Sequence, residues 1–503
     1  MFFRQKKNRS GVISVQVIDK SSGKYRVLKT IGSSSDATEV ADLVKQAEIW
    51  IKKYQGQLDI DFSGSRDQAK HFLENITQIK LDGIDLLLGG LFEQIGFGQI
   101  KDDLFKRLVL ARLCYPASKL RTTDYLAKYE YMEMDVQSVY RYMDKLHRTQ
   151  KGVVQKISFE HTMRVLDGKM SIVFYDVTTL YFEIEQEDEL RKTGFSKEGK
   201  HQHPQILLGL LVSVDAYPLA YEIFEGNKFE GHTMLPVLEM FKKQYNLGKL
   251  VVIADSGLLS KQNIEQLQDQ GHEFILGARI KNESAHIQEQ IFSLRLENGQ
   301  CAAITTAEGI RLIISYSAAR GRKDEANRQR GLLKLERQIQ KGKLTKTNIN
   351  NRGYNKYLKM EGEIKIAIDH EKFEADKKWD GLKGYLTNTA LTKDEIIENY
   401  GHLWKIEKAF RVSKHDLKIR PIYHRLQRRI EAHICIAFAA YKVYKELERQ
   451  LKEKKAELSP EKAIEIAKTI FSVHVSLTQT GETLAKTIYT RAEQKTLADL
   501  FGF

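Results

Sequence analysis

The chain has 503 residues and a formal net charge of +14, with 42% hydrophobic and 29% charged residues. This length allows several domains and a large core, and the composition is that of a soluble globular protein. No run of about 18 apolar residues predicts a membrane span, and the basic N-terminus lacks the apolar stretch of a secretory signal. Three widely separated cysteines exclude a zinc-type cluster and indicate a reducing compartment, which predicts a cytoplasmic protein. The positive charge favours a polyanionic partner.

The first third of the chain changes from a hairpin pattern to a helical one. Residues 11–31 alternate as two strands around a Ser-Ser-Gly turn, and residues 36–54 have the apolar spacing of a helix. A Gly- and Asp-rich stretch, 55–66, predicts a linker. From about 80 to 166 the pattern is helical. One helix in it, 138–148, carries Arg141, Lys145 and Arg148 together with Tyr140 and Tyr142, and predicts either a nucleic-acid-reading helix or a packing helix with a basic surface.

A sheet is predicted next, in the order β-β-β-α-β-α-β. Three strands joined by tight turns form an antiparallel meander, and the fourth, reached through a helix, is expected to run parallel to the first. The first strand ends in Asp176 and the fourth in Asp255, each after an apolar run typical of a buried strand. The two carboxylates are therefore expected to be neighbours although they are 79 positions apart.

The sheet pattern is interrupted at residues 281–375 and resumes with a strand in WDGLKGYL. A single long helix is predicted to follow over residues 391–414, with Thr392 and Glu395 in the spacing of a capping box. Glu407 lies on this helix. An ideal helix places Trp404, Glu407, Arg411, Lys414 and Lys418 on one face.

Asp176, Asp255 and Glu407 together predict a site that holds divalent metal against a phosphodiester. Buried-strand acids are costly unless they are paired or bind metal, and Mg²⁺ takes hard oxygen ligands and keeps several waters. Two Mg²⁺ ions about 3.5–4 Å apart activate the nucleophile and stabilise the leaving oxygen. Asp176 is expected to bridge both ions, Asp255 to complete one and Glu407 the other, with Mn²⁺ as a substitute. The simpler alternatives are an Asx turn at Asp176 and an i,i+4 ion pair between Glu407 and Arg411.

Positive charge is concentrated around Glu407. We call nine residues the basic cluster; they are Lys405, Lys408, Arg411, Lys414, Lys418, Arg420, Arg425, Arg428 and Arg429. Only Glu407 and Asp416 oppose them within that stretch, whereas a solvated helix face mixes signs. His201 and His203 are interpreted as loop residues, and the lack of a phosphate-binding G-x-x-x-x-G-K-[ST] loop argues against a nucleotide triphosphate.

At these residues the chain resembles the DDE transposases of bacterial insertion sequences, specifically the insertion-sequence-four superfamily. That superfamily places its third acid in a Tyr-x2-Arg-x3-Glu-x6-Lys signature, which Tyr400, Glu407 and Lys414 match, with Leu403 where the arginine is expected. The surroundings of Asp176 (DVTTLYFE) and Asp255 (DSGLLSKQNI) are also similar, as is RPIYHRLQRRIEAHI at 420–434.

The resemblance implies a ribonuclease-H-like α/β fold with flanking helices and a subdomain inserted between the second and third acids. It also implies binding to terminal inverted repeats and target DNA, cut-and-paste transposition, and a homodimeric synaptic complex in the bacterial nucleoid. The expected regions are a hairpin and helix (1–66), a helical DNA-binding region (67–166), a core in two parts (167–280 and 376–445), the insert (281–375) and a helical C-terminal region, possibly for dimerisation (446–503).

The resemblance implies DNA contacts for a defined set of residues, namely Tyr400, Trp404, Arg411, Lys414, Lys418, Arg420, Arg425, Arg428 and Arg429. With Leu403 in place of the arginine, Lys405 or Arg411 is the alternative source of that phosphate contact. Two other functions stay open. They are a ribonuclease-H-like endonuclease without joining activity, and a non-catalytic DNA-binding protein derived from a transposase.

Overall fold

A computed structural model describes residues 1–21, 23–54, 70, 72–184, 186–195, 202–258, 260–306, 309–350, 353–361, 365–420, 422–476 and 482–503. The predicted linker at 55–66 and His201 lie outside these residues. The chain forms two compact units. The smaller comprises residues 1–79 and 473–486, and the larger comprises 80–472 and 487–503. No described helix is both long and apolar enough to cross a membrane.

The smaller unit contains the predicted hairpin. Its strands are β1 (Phe2–Lys7), β2 (Ile13–Asp19) and β3 (Arg26–Ser34), which form an antiparallel sheet in that order, and α1 (Ala37–Tyr54) follows. Val15, Val17, Val40 and Ala47 form its core. The hairpin β2–β3 and the helix were predicted, whereas β1 was not, because its charged sequence FFRQKK has no strand-like alternation. A separate three-stranded sheet comprises β4 (Ile76–Leu81), β15 (Phe471–Ser476) and β16 (Thr483–Ile488).

The larger unit is built on an eight-stranded mixed sheet in the order β10-β11-β14-β9-β8-β5-β6-β7. The strands are β5 (Ile172–Tyr181), β6 (Gln205–Ser213), β7 (Pro218–Glu225), β8 (Val251–Ala254), β9 (Glu273–Ala278), β10 (Cys301–Thr305), β11 (Arg311–Tyr316) and β14 (Leu382–Thr387). β12 (Leu358–Glu361) and β13 (Lys365–Ile368) form a separate antiparallel pair. The strands β10 and β11, from the predicted insert, extend the main sheet beyond β14.

Strand pairing confirms the order expected from the sequence. β5, β6 and β7 form the antiparallel meander, and β8 runs parallel to β5. β9 adds a further parallel strand beside β8. Both faces of the sheet are covered, because successive residues of β5 enter different cores: Phe174 packs in one cluster and Val173 and Tyr175 in another.

Helices surround this sheet. They are α2 (Gly90–Ile95), α3 (Asp103–Cys114), α4 (Lys119–Glu130), α5 (Val136–Thr149), α6 (Lys151–Val165), α7 (Met234–Tyr245), α8 (Lys261–Asp269), α9 (Ala285–Ser293), α10 (Ala318–Gln340), α11 (His370–Asp376), α12 (Lys393–Gly401), α13 (Trp404–Arg411), α14 (Gln427–Glu453), α15 (Pro460–Ala467) and α16 (Ala492–Phe501). The longest, α14, is buried along much of its length and packs against α3, α5 and α6.

The single helix predicted over 391–414 is wrong. The capping box at Thr392 and Glu395 is present, but α12 ends at Gly401 and α13 begins at Trp404. Three-residue turns bridge the gap, with the Leu403 amide donating to the Tyr400 carbonyl. Residues 412–416 then widen into a π-helical turn. Around this break, Tyr400 and Leu403 are both buried, and Trp404 is exposed.

Candidate active site

Asp176 and Asp255 lie at the same level of two adjacent strands. β5 and β8 pair in parallel with Tyr175 opposite Ala254, and each aspartate is the next residue of its chain segment. Neighbouring strands are about 4.8 Å apart, so the two residues start from adjacent backbone positions. Asp176 is half-buried and accepts a hydrogen bond from the Val177 amide at 2.7 Å, while Asp255 is exposed. Asp176 and Asp255 are therefore neighbours, as expected. The prediction that the first strand ends in Asp176 is wrong, because β5 continues to Tyr181 and Asp176 lies within the strand.

Tyr400 connects Asp255 to the helices. Its ring is 5% exposed and packs edge-on against Tyr385 of β14, and its hydroxyl donates to Asp255 Oδ1 at 3.2 Å. Burial, followed by the charge of Asp255, raises the pKa of the Tyr400 hydroxyl well above its ordinary value, so it stays a donor. The Tyr400 hydroxyl is therefore committed to holding a carboxylate in position.

Gly277 on β9 makes room for this contact. A methyl group at that position would collide with the Tyr400 hydroxyl and press against the Ser256 amide. A glycine inside an otherwise apolar strand often marks such a close approach. The sequence segment ILGAR contained this signal, but the partner of the glycine is 123 positions away and could not be read from it.

Glu407 approaches the same region from α13. The helix packs against β5, with Ile406, Ala409 and Phe410 buried and Glu407 exposed. Trp404 and Arg411 are exposed on the same helix, as predicted. Lys414 lies instead in the π-helical turn and is half-buried, and Lys418 lies beyond the helical segments with a left-handed backbone (φ 44°).

Lys383 on β14 interacts electrostatically with both Asp255 and Glu407. Burial lowers the pKa of its ammonium, as does Arg320, and the negative charges of Asp255 and Glu407 oppose that shift. The ammonium lies 4.4 Å from the centre of the Tyr400 ring. Asp255, Glu407 and Tyr400 thus share one electrostatic environment with a cation that the sequence analysis missed. Its only sequence signal was a lysine inside an otherwise apolar strand.

The three acids have the donor chemistry that Mg²⁺ prefers, because all are carboxylates. Within the described part of the chain, however, no three His, Cys, Asp or Glu side chains are grouped closely enough to hold a metal ion. The structure brings Asp176 and Asp255 together through strand pairing, and the charges of Asp255 and Glu407 both act on Lys383 and Tyr400.

Several members of the basic cluster have partners that the sequence did not reveal. Arg428 and Arg429 both donate to Asp144 of α5, at 2.8 and 2.9 Å, and hydrogen bonds from Arg429 lower the pKa of that carboxyl to about 2. Lys408 bonds Glu448 at 2.5 Å, and Lys405 donates to the Val214 carbonyl at 2.8 Å.

The remaining predicted DNA contacts differ in exposure. Arg411, Lys418 and Arg425 are exposed, and Arg420 is half-buried, 5.7 Å from the centre of the Tyr181 ring. Two acids from distant segments, Asp144 and Glu448, thus oppose the basic cluster in addition to Glu407 and Asp416 within the stretch itself.

The fold and this site define a mixed α/β protein with two aspartates on adjacent parallel strands and a glutamate on a downstream helix. Residues 167–442, more than half of the chain, match the model of the family described as Transposase DDE domain, and the chain belongs to that family. No curated protein matches the chain. Among solved structures, it is similar to a piggyBac transposase synaptic complex with hairpin DNA, at 9% identity and a TM-score of 0.39 over 80% of this chain and 79% of that one.

Removing the Tyr400 hydroxyl tests its positioning role. Tyr400→Phe is expected to slow DNA cleavage by about 10–100-fold, which is typical for the loss of a group that orients a metal ligand. The melting temperature should change little, because one hydrogen bond contributes about 1 kcal/mol. The measurement is cleavage rate against Mg²⁺ concentration, together with thermal unfolding.

The matched control is Tyr385→Phe, which alters the neighbouring ring without touching Asp255. Equal rates for wild type and Tyr400→Phe would show that Asp255 needs no help from this hydroxyl.

Proposed function

We propose that this protein is a transposase of the insertion-sequence-four type, which binds the terminal inverted repeats of its element, cleaves DNA and joins the cut end to target DNA. The observation that carries the proposal is the parallel pairing of β5 with β8, because it places Asp176 and Asp255 side by side. Asp255 and Glu407 both interact electrostatically with Lys383, which supports Glu407 as the third acid of the site. Membership of the transposase family supports the reaction class.

We further interpret the core as ribonuclease-H-like. The antiparallel meander β5-β6-β7, followed by β8 and β9 parallel to β5, supports this interpretation. In such a core the neighbouring segments that carry Asp176 and Asp255 face the substrate, and a helix after the last core strand delivers Glu407. The strands β10 and β11, which extend the sheet, belong to the proposed insert at 281–375.

Asp176, Asp255 and Glu407 would hold the two Mg²⁺ ions. When bound, these ions would supply an activated nucleophile and a stabilised leaving oxygen. The chain contributes orientation and charge: Tyr400 donates a hydrogen bond to one oxygen of Asp255, and Lys383 interacts electrostatically with Asp255 and Glu407. Isothermal titration with Mg²⁺ and Mn²⁺, in wild type and in Asp176→Asn, tests whether these carboxylates bind metal.

DNA is held, in this proposal, by the exposed cations around α13 and by Arg420. Leu403 is buried, and Lys405 is bound to the Val214 carbonyl. Of the two alternatives for the missing signature arginine, the exposed Arg411 is therefore the better candidate for the phosphate contact. A homodimer that brings two element ends together is part of the same proposal, and light scattering with and without end DNA tests it.

A strand-transfer assay separates this function from its alternatives. The DNA flanking the coding region supplies the inverted repeats, and purified protein is incubated with end DNA, a supercoiled target and Mg²⁺. Covalent joining of the 3′ end to the target is the expected result. Cleavage without joined product would identify an endonuclease, and binding without metal-dependent cleavage would identify a non-catalytic DNA-binding protein.

Lys414 provides a test of the signature match. Lys414→Ala is expected to weaken complexes with cut transposon ends and to slow strand transfer, because a lysine contacts phosphate as a point charge. Its melting temperature should stay near that of wild type, since the side chain is only half-buried. Gel-shift titration and single-turnover joining measure the two effects. Wild-type joining by Lys414→Ala would remove this residue from the DNA-binding set.

A further inference from the structure

A cavity of about 400 Å³ in the larger unit is lined mainly by basic and aromatic side chains, together with the segment Pro116–Ser118. It lies between the end of α3, the start of α4 and the residues Lys418, Arg420, Tyr423 and His424. Its ionisable lining residues are Arg112, Lys119, Arg121, Lys418, Arg420, His424 and His433, with Tyr140 and Tyr423 beside them. No aspartate or glutamate is among the described residues that line it. Such a concentration of positive charge favours an anion.

Lys119 is the residue that makes this cavity unusual. Its side chain is 4% exposed, and the described residues give its ammonium no hydrogen bond and no ion pair. Burial lowers the pKa of Lys119 well below its ordinary value, and the nearby Arg112 lowers it further. A buried amine without a partner resists protonation, and an anion bound beside it would stabilise its charged form.

Lys442 is a second buried lysine in the same protein, and its ammonium has hydrogen-bond acceptors. It is fully buried on α14, and its ammonium donates to the Ser158 carbonyl at 3.0 Å and to Thr162 Oγ1 at 2.6 Å. The two lysines are similarly buried. The Lys442 ammonium has two hydrogen-bond acceptors, whereas the Lys119 ammonium has none among the described residues. The difference indicates that Lys442 is a structural residue and that Lys119 is available for a ligand.

The walls of the cavity are held in place by their own contacts. The Arg112 guanidinium donates to the carbonyl oxygens of Leu417 and Lys418, both at 3.4 Å, which fixes the loop opposite α4. His433 Nε2 bonds the Ile419 carbonyl at 2.9 Å. The first turn of α4 adds the positive end of its helix dipole. The site is therefore formed before any ligand binds.

We propose that this cavity binds a phosphate group of the DNA backbone, with Lys119 as the inner cation and Arg121 and Lys418 at the entrance. The assignment of the anion to DNA rests on the proposed function. Arg420 supports it, because its guanidinium lies over the ring of Tyr181 on β5, the strand that carries Asp176.

Lys119→Met tests the proposal against a structural role. Without ligand, the variant is expected to melt at the same temperature as wild type or higher, because a buried amine without a partner is removed. Inorganic phosphate should raise the melting temperature of wild type, relative to chloride at equal ionic strength, and this increase should be absent in the variant. In metal-free buffer its affinity for duplex DNA should fall about tenfold, the usual weight of one charge-assisted contact.

Lys442→Met is the matched control, and it should melt at a lower temperature while retaining the phosphate response. Arg121→Gln, an exposed change at the entrance, should weaken phosphate and DNA binding without any effect on folding. A phosphate response that persists in both Lys119→Met and Arg121→Gln would overturn the proposal.

A second outcome would overturn only the assignment to DNA. If both variants lose the phosphate response but bind duplex DNA as wild type does, the cavity takes a free anion. None of these measurements requires cleavage or metal, so a failure of the proposed transposase reaction would be seen separately, in the strand-transfer assay.

Discussion

Asp255→Asn is expected to reduce DNA cleavage and joining by more than about 100-fold, because groups that merely orient metal ligands already account for about 10–100-fold. Asparagine keeps the shape of the side chain and its contact with the Tyr400 hydroxyl but removes the negative charge that a divalent ion needs. Alanine at Asp176 or Glu407 should be as severe. DNA binding should remain within a few-fold of wild type, as measured by gel shift in metal-free buffer.

Asp269→Asn is a suitable control for this series, since it changes an exposed aspartate on α8 outside the proposed site. It should cleave as wild type does. Cleavage by Asp255→Asn within about tenfold of wild type would remove Asp255 from the proposed metal ligands, and with it the central assignment of the site.

The second prediction with a large expected effect concerns how salt concentration changes the affinity for DNA. Wild-type affinity for end DNA is expected to fall by about 10³–10⁵ between 50 and 200 mM salt if six to ten phosphates are contacted. Neutralising the exposed pair Lys418 and Arg425 should flatten the slope of log K against log salt by about 1.8, at 0.9 per contact. Fluorescence anisotropy at four or more salt concentrations measures this slope.

Arg428 and Arg429 give this experiment an internal comparison. Both are ion-paired with Asp144, so Arg428→Gln with Arg429→Gln removes the same formal charge but releases fewer counterions. The double variant should change the slope less than the Lys418 and Arg425 pair does. Equal changes would mean that the Asp144 pairs open on DNA binding, and an unchanged slope in both would mean that the basic cluster faces away from DNA.

The sequence alone predicted the chain order of the core strands and the pairing of β5 with β6 and β8 and of β6 with β7, since these depend on local patterns. Apolar runs mark the strands, tight turns make the β5-β6-β7 meander antiparallel, and a helical crossover makes β8 parallel to β5. The neighbourhood of Asp176 and Asp255 followed from those rules. The helical period predicted that Trp404, Glu407 and Arg411 share one exposed face. This is observed within α13, which is eight residues long, but the helix does not continue to Lys414 and Lys418.

Only the tertiary structure decided which distant groups meet. The helix break after Gly401 buries Tyr400 against Asp255, and Gly277 leaves the space for it. Asp144 neutralises two arginines more than 280 positions away. Lys119 is buried without an acceptor, whereas Lys442 has two. Periodicity and turn chemistry act over a few residues and so determine the elements, but the partner of a buried polar group depends on how those elements pack, which no local pattern records.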